Sequence, residues 1–183
     1  FANIAEGVVR LAIFLAYLLV IRRMNEIRRV FSYHGAEHKT INAYEAGAEL
    51  TPESVQRFST LHPRCGTGFL LVVMVVSIFV FSLLGRPNLF LMIASRILLI
   101  PVIAAISYEF IRWSARRYAN PVVRTLISPS LALQKLTTNE PELAMLEVAI
   151  VSLKHVLVAE GILAAVAPEP ELRAAEAEAP ALV

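Results

Sequence analysis

Phe69 to Leu84 carries no charged residue and is rich in Val, Phe and Leu. After Gly85-Arg86-Pro87-Asn88, a turn by composition, a second apolar run extends from Leu89 to Ile111. Two such runs back to back constrain the fold more than any other feature, because a small soluble domain cannot bury both. With 183 residues, 57% of them hydrophobic, and a mean hydropathy of +0.63, the chain reads as an integral membrane protein. The expected class is all-α, with about three spans and additional cytoplasmic amphipathic helices.

The first span is predicted over 1–21. Ile4 to Ile21 is apolar apart from Glu6 and Arg10, an i,i+4 pair on one helix face. Arg10 is placed to snorkel toward an interface. Arg22, Arg23, Arg28 and Arg29 follow, and Arg112, Arg116 and Arg117 follow the third run. Both clusters put these ends on the cytoplasmic side and the 85–88 turn on the far side. The resulting division is a transmembrane helix (1–21), a cytoplasmic polar segment (22–66) and a transmembrane hairpin (67–111). Cytoplasmic or interfacial helices (112–165) and a disordered Ala/Glu/Pro tail (166–183) complete it. Within 112–165, Pro121 to Leu136 reads as surface-lying or re-entrant, and a helix from about Asn139 to Glu160 is too charged for the bilayer centre. One cysteine permits no internal disulfide. No signal peptide is recognisable, and Phe1 is not an initiator methionine, which points to a piece of a longer reading frame or a processed product. The arginines flank apolar runs, so topology accounts for them and nucleic acid is not an expected partner.

Three of the four histidines and the cysteine lie in the polar segment. Tyr33 to Ala46 is predicted helical with Gly47 as its stop, and Thr51-Pro52-Glu53 starts a short helix to about Thr60. His34-Gly35-Ala36-Glu37-His38 is an H-x-x-E-H string. On a helix His34 and His38 are one turn apart on one face, the spacing by which a helix offers a metal two imidazoles. Glu37 lies about 60° around from His34, within reach of an attacking water, as in the inverted zinc peptidases where the glutamate is the general base. Glu45 shares the stripe of His38 but stands about 10 Å further along the axis. The third ligand is expected first from His62, then Cys65, because His62-Pro63-Arg64-Cys65-Gly66 reads as a chelating turn. Glu109, at the cytoplasmic end of the third run, is the third choice. Gly66-Thr67-Gly68 stands at a helix start, where N–H groups bind anions, or is simply a flexible entry to the span. Arg96 is an intramembrane charge and so a functional candidate, unless it snorkels outward. Taken singly, solvated histidines and a small buried cysteine are the ordinary readings. Their clustering favours a metal site.

The strings FSYHGAEHKTINAYEAG, ELTPESV, LHPRCGTGFLL, SYEFIRW and LQKLTTNEPELAMLEVAI together resemble the YqhQ-like family of bacterial membrane proteins. The resemblance covers roughly residues 5 to 160. Its HGAEHK and HPRCG elements imply a metal-dependent enzyme, and the implication carries over to His34, Glu37, His38, His62 and Cys65. Members usually have a cysteine where this chain has Ala43, so a thiolate there is not essential. They also have a glycine-rich N-terminal segment that this sequence lacks.

The expected function is metal-assisted hydrolysis at the cytoplasmic face of a bacterial inner membrane, by a multi-pass protein. The lipid bilayer is the expected partner, and the expected substrate class is a peptide or a lipid-derived group. Imidazole and thiolate donors suit zinc, or another divalent transition metal. Two other classes fit the same residues: a membrane scaffold or chaperone with a structural metal, and a small-ion or metal transporter using Arg96 and Glu109. Substrate and oligomeric state are not written in the sequence.

Overall fold

The computed structural model describes residues 2–85 and 88–163. Among these residues there are eight helices and no strand. Helix α1 (Ala2–Ile21) ends where its apolar run meets Arg22. The chain does not continue as the same helix through Arg29. Met24 adopts extended backbone and starts α2 (Asn25–Glu45), whose first turn holds Glu26 against the positive end of the dipole. Helix α2 is therefore longer than the 33–46 helix read from sequence. Helix α3 (Pro52–Val55) is a single turn rather than a helix to Thr60. The residues after it run as loop because their carbonyls bond to α2 side chains, described below.

Helices α4 (Gly66–Leu84) and α5 (Leu89–Arg116) follow in sequence. Gly85 closes α4 at φ 70, a conformation that L side chains rarely adopt. Asn88 caps α5 by accepting the Leu91 N–H. The rest of the expected turn, Arg86 and Pro87, lies outside the described residues, as does the 166–183 tail. Helix α5 runs past Ile111 to Arg116. The stretch read as surface-lying or re-entrant is two short helices, α6 (Pro121–Leu126) and α7 (Ser128–Thr137), each with a proline in its first turn. Helix α8 spans Leu143–Ala159.

Helices α1, α4 and α5 are long and apolar enough to cross a membrane. Helix α4, at 19 residues, is about 28 Å long, against a hydrocarbon core of about 30 Å. These helices turn large apolar side chains outward, Phe79, Leu83, Phe90 and Leu98 among them. Such faces are stable against lipid and costly in water. Helix α4 is the hub, packed on α1, α5 and α7. Two glycines permit the approaches. A Cβ on Gly7 would stand 2.4 Å from Ile78, and one on Gly68 would stand 2.2 Å from the Ser130 hydroxyl. Next to this three-helix layer, α2 presents Ala36 and Ala43 to Val55, Leu146 and Ile150 in a fully apolar core.

Residues up to Ile150 form one unit and those from Val151 another. The second ends α8 at Gly161, φ 70, with the Ile162 N–H turned back to the Leu157 carbonyl.

Candidate metal centre

Helix α2 places one face against the loop between α3 and α4. Lys39, only 4% exposed, donates from Nζ to the carbonyls of Gln56 and Phe58, both at 2.8 Å. It also pairs with Glu140 at 2.9 Å. Asn42 donates to the Ser59 and Leu61 carbonyls. His38 takes the carbonyl between them, Thr60, at 2.6 Å from Nδ1. One helix face thus fixes a loop that has no secondary structure of its own, which satisfies carbonyls that would otherwise be left unpaired.

His34 is anchored from a different direction. Its Nδ1 lies 2.8 Å from the Thr137 carbonyl, at the end of α7. Gly35 makes this possible. A Cβ there would sit 2.0 Å from the Asn139 carbonyl oxygen, so only glycine lets the 137–139 backbone run against α2. The Asn139 N–H then bonds the Phe31 carbonyl at 2.9 Å.

A carbonyl only accepts, so both imidazoles carry their proton on Nδ1 and turn Nε2 toward Cys65. The ligand atoms of His34, His38 and Cys65 all lie within 4.8 Å of one another. His34 and His38 meet edge to face at 4.4 Å between centroids. Cys65 is the residue that starts α4, with Sγ 3.4 Å from His34 Nε2 and 3.0 Å from the Thr67 hydroxyl. Burial pushes the Cys65 thiol up, but hydrogen bonds from His34, His38 and Thr67 outweigh it and bring the pKa down to about 5. The Cys65 hydrogen bond in turn raises His34, against the lowering effect of burial and with help from the Thr137 carbonyl. His34 Nε2 and Cys65 Sγ are in hydrogen-bond contact, and a cation held between them would replace its proton.

The donor set fits a divalent transition metal. Two imidazoles oriented through Nδ1–H bonds to backbone carbonyls, plus an ionised thiolate, are what such an ion requires. Three protein donors leave room for a water.

His62 is placed differently. Gln134, fully buried, clamps its backbone by accepting the His62 N–H at 2.9 Å and donating to the His62 carbonyl at 2.8 Å. Nδ1 of His62 accepts the Arg64 N–H at 3.3 Å, and Nε2 faces Glu45 at 3.4 Å. Burial lowers the His62 pKa, although Glu45 pulls the other way. Glu45 is also paired with the Arg64 guanidinium. The structure thus brings His34, His38 and Cys65 together and sets His62 beside them, its ring centroid 5.9 Å from that of His38. Glu37, exposed, lines the same cleft of about 280 Å³ with His34, His38, Glu45, His62 and Cys65. Gly66 also borders that cleft, and Thr67 reaches both Cys65 and, at 3.4 Å, the Thr137 hydroxyl. Gly68 serves packing against α7. Glu109 is exposed, pairs with Arg112 and is not in the cluster. Arg96 lies in a second cavity, along α1, α4 and α5. Sequence reasoning missed Lys39, Asn42, Gln134 and Thr137. The lysine inside HGAEHK was the one available signal, since a charge on the inner face of a helix demands partners.

Fold and site define a class: an all-helical protein with membrane-length apolar helices and a His/His/Cys cluster capable of holding a metal ion. The chain belongs to the family of proteins of unknown function designated DUF1385, whose family model matches residues 1–159. It is 40% identical over 157 residues to the uncharacterized protein YqhQ of Bacillus subtilis strain 168. That match takes in 86% of this chain and 49% of the relative, so the chain spans about half the relative's length. No solved structure matches it.

Proposed function

We propose that the protein is a metal-dependent hydrolase, with zinc held by His34, His38 and Cys65. The observation that carries this reading is the pair of Nδ1–H bonds to the Thr137 and Thr60 carbonyls, which leave both Nε2 atoms aimed at the thiolate. Zinc supplies Lewis acidity and lowers the pKa of a water to near neutrality. Glu37, exposed on the cleft wall one residue from His38, takes the proton from the attacking water. The His62–Glu45 pair lines the same cleft, with His62 Nε2 held against the Glu45 carboxylate. The cleft lies at the α4 end that begins with Cys65. The arginines at 22–29 and 112–117 support an orientation with this end toward the cytoplasm. A peptide or a lipid-derived ester or amide at the membrane interface suits that position.

One observation favours a second reading. The lattice of bonds from Lys39, Asn42 and Gln134 is also what a purely structural site would use to hold the 56–62 loop between α2 and α7. The two readings part at Glu37. Zinc content of purified protein should be close to one per chain, lost in His34→Ala and His38→Ala, and retained in Glu37→Gln. Loss of zinc in Glu37→Gln would make that carboxylate a ligand, closing the shell and leaving the structural reading.

A further inference from the structure

A cavity of about 700 Å³ is far from the metal cluster, along the other end of α4. Its polar lining is unusual for helices of this composition. Glu6 and Arg10 of α1 form an ion pair one turn apart. Arg96 of α5 approaches the same Glu6 carboxylate only at 4.0 Å, and its guanidinium rests 5.5 Å from the Phe81 ring centroid. One carboxylate thus faces two guanidiniums, and one positive charge is left over. Arg96 is seven residues into α5, about 10 Å along its axis, where a guanidinium whose five donors meet a single distant carboxylate is costly.

Apart from Asn3, Ser77 and Ser95, the rest of the lining is apolar. Met74, Ile78 and Phe81 of α4 and Met92 and Ile93 of α5 form a wall about 16 Å long from Met74 to Gly85. The hydroxyls of Ser77 and Ser95 donate to their own helices, at the Met74 and Met92 carbonyls, and so can only accept from a ligand. Toward Cys65 the polar lining stops at Ser77, because Phe69 to Val76 is wholly apolar. A surplus cation beside a largely apolar wall matches a molecule with one negative charge and a hydrocarbon tail.

We propose that this cavity binds an anionic membrane lipid, its phosphate held by Arg96 and Arg10 and an acyl chain lying along the α4–α5 wall. Glu6 competes with the phosphate for both guanidiniums and sets the affinity. The site is independent of the metal centre.

The sign of the Glu6 effect separates this from a merely structural ion pair. Delipidated protein in neutral detergent is titrated with dioleoylphosphatidylglycerol, with dioleoylglycerol as the uncharged control, and read by native mass spectrometry and melting temperature. One phosphatidylglycerol should bind per chain and raise the melting temperature, while dioleoylglycerol should do neither. Arg96→Gln should weaken binding about tenfold or more, the effect of losing one charge-assisted contact. Arg10→Gln gives the same reading should Arg96→Gln fail to fold. Glu6→Gln should bind phosphatidylglycerol more tightly than wild type. Equal binding of the two lipids, or unchanged or weaker binding in Glu6→Gln, would overturn the proposal. Inorganic phosphate that stabilises the protein as well as phosphatidylglycerol does would also overturn it, since the ligand would then be a free anion.

Discussion

The two ends of α4 solve the problem of polar groups beside a membrane in opposite ways. At the Cys65 end, Lys39, Asn42, His38 and Gln134 each make bonds of 2.6 to 3.1 Å to backbone groups of a loop. Three of the four, Lys39, His38 and Gln134, are buried. At the Gly85 end, Glu6, Arg10 and Arg96 are each 40% exposed or more, and their contacts are to one another and to one ring. Buried polar groups with every bond made are rigid, and removing one partner leaves the others stranded. Half-exposed charges can change partners at little cost. The first arrangement suits holding atoms in fixed positions, and the second suits admitting a ligand.

The contrast can be broken most directly at Lys39. Lys39→Met keeps the stem and removes the ammonium, leaving the part-buried Gln56 and Phe58 carbonyls without their donor. The expected loss is about 3 to 5 kcal/mol, measured by denaturation in detergent. Arg96→Met, the matching change at the other end, should cost less than about 1 kcal/mol. Comparable losses at both ends would erase the distinction. Gly35→Ala comes next. Its Cβ would meet backbone rather than a flexible side chain, so the 137–139 segment must retreat, at about 2 to 3 kcal/mol. Zinc affinity should fall at least about tenfold as His34 loses its carbonyl. Gly66→Ala, where a Cβ meets nothing within 4 Å, should leave both unchanged. Gln134→Leu should cost about 2 kcal/mol by orphaning both backbone groups of His62, and it should move His62 without stripping metal.

A further effect is one of pH, in metal-free protein. The Cys65 pKa, about 5, is below that of an unfolded thiol, about 8.5. Its contribution is therefore complete above the unfolded value and is lost as pH falls through 5. His34, with its pKa raised, contributes below its unfolded value and loses that contribution as pH rises through the folded one. Acid titration of the melting temperature should show a decline that sets in below the unfolded thiol value and levels off below about pH 5, and Cys65→Ser should abolish it. An identical acid limb in Cys65→Ser would remove the thiolate from the account.

Much of this was legible in the residues. The apolar runs of α1, α4 and α5 and the basic residues at their ends read directly as hydropathy and charge, because lipid imposes length and composition locally. The one-turn spacing of His34 and His38 is equally local. The choice between His62 and Cys65 is not. It turns on whether the Arg64 N–H bonds to His62 Nδ1, a detail of one tight turn that spacing cannot reveal. The supports are further still from view. Gln134 is 72 residues from His62 and Thr137 is 103 from His34. Pro129, inside the stretch read as surface-lying or re-entrant, stands in the first turn of the helix that brings both. The same distance hid the length of α3, which stops at Val55 because Lys39 and Asn42 draw the following carbonyls toward α2.

The Thr137 bond to His34 also has a consequence for biosynthesis. His34 leaves the ribosome early, but the carbonyl that orients it is made 103 residues later, after all three apolar helices have been synthesised. A nascent chain can present two histidines and a cysteine long before it can aim them. Tight metal capture is thereby deferred until α7 has docked, and a chain stalled or truncated ahead of it would emerge without a usable centre.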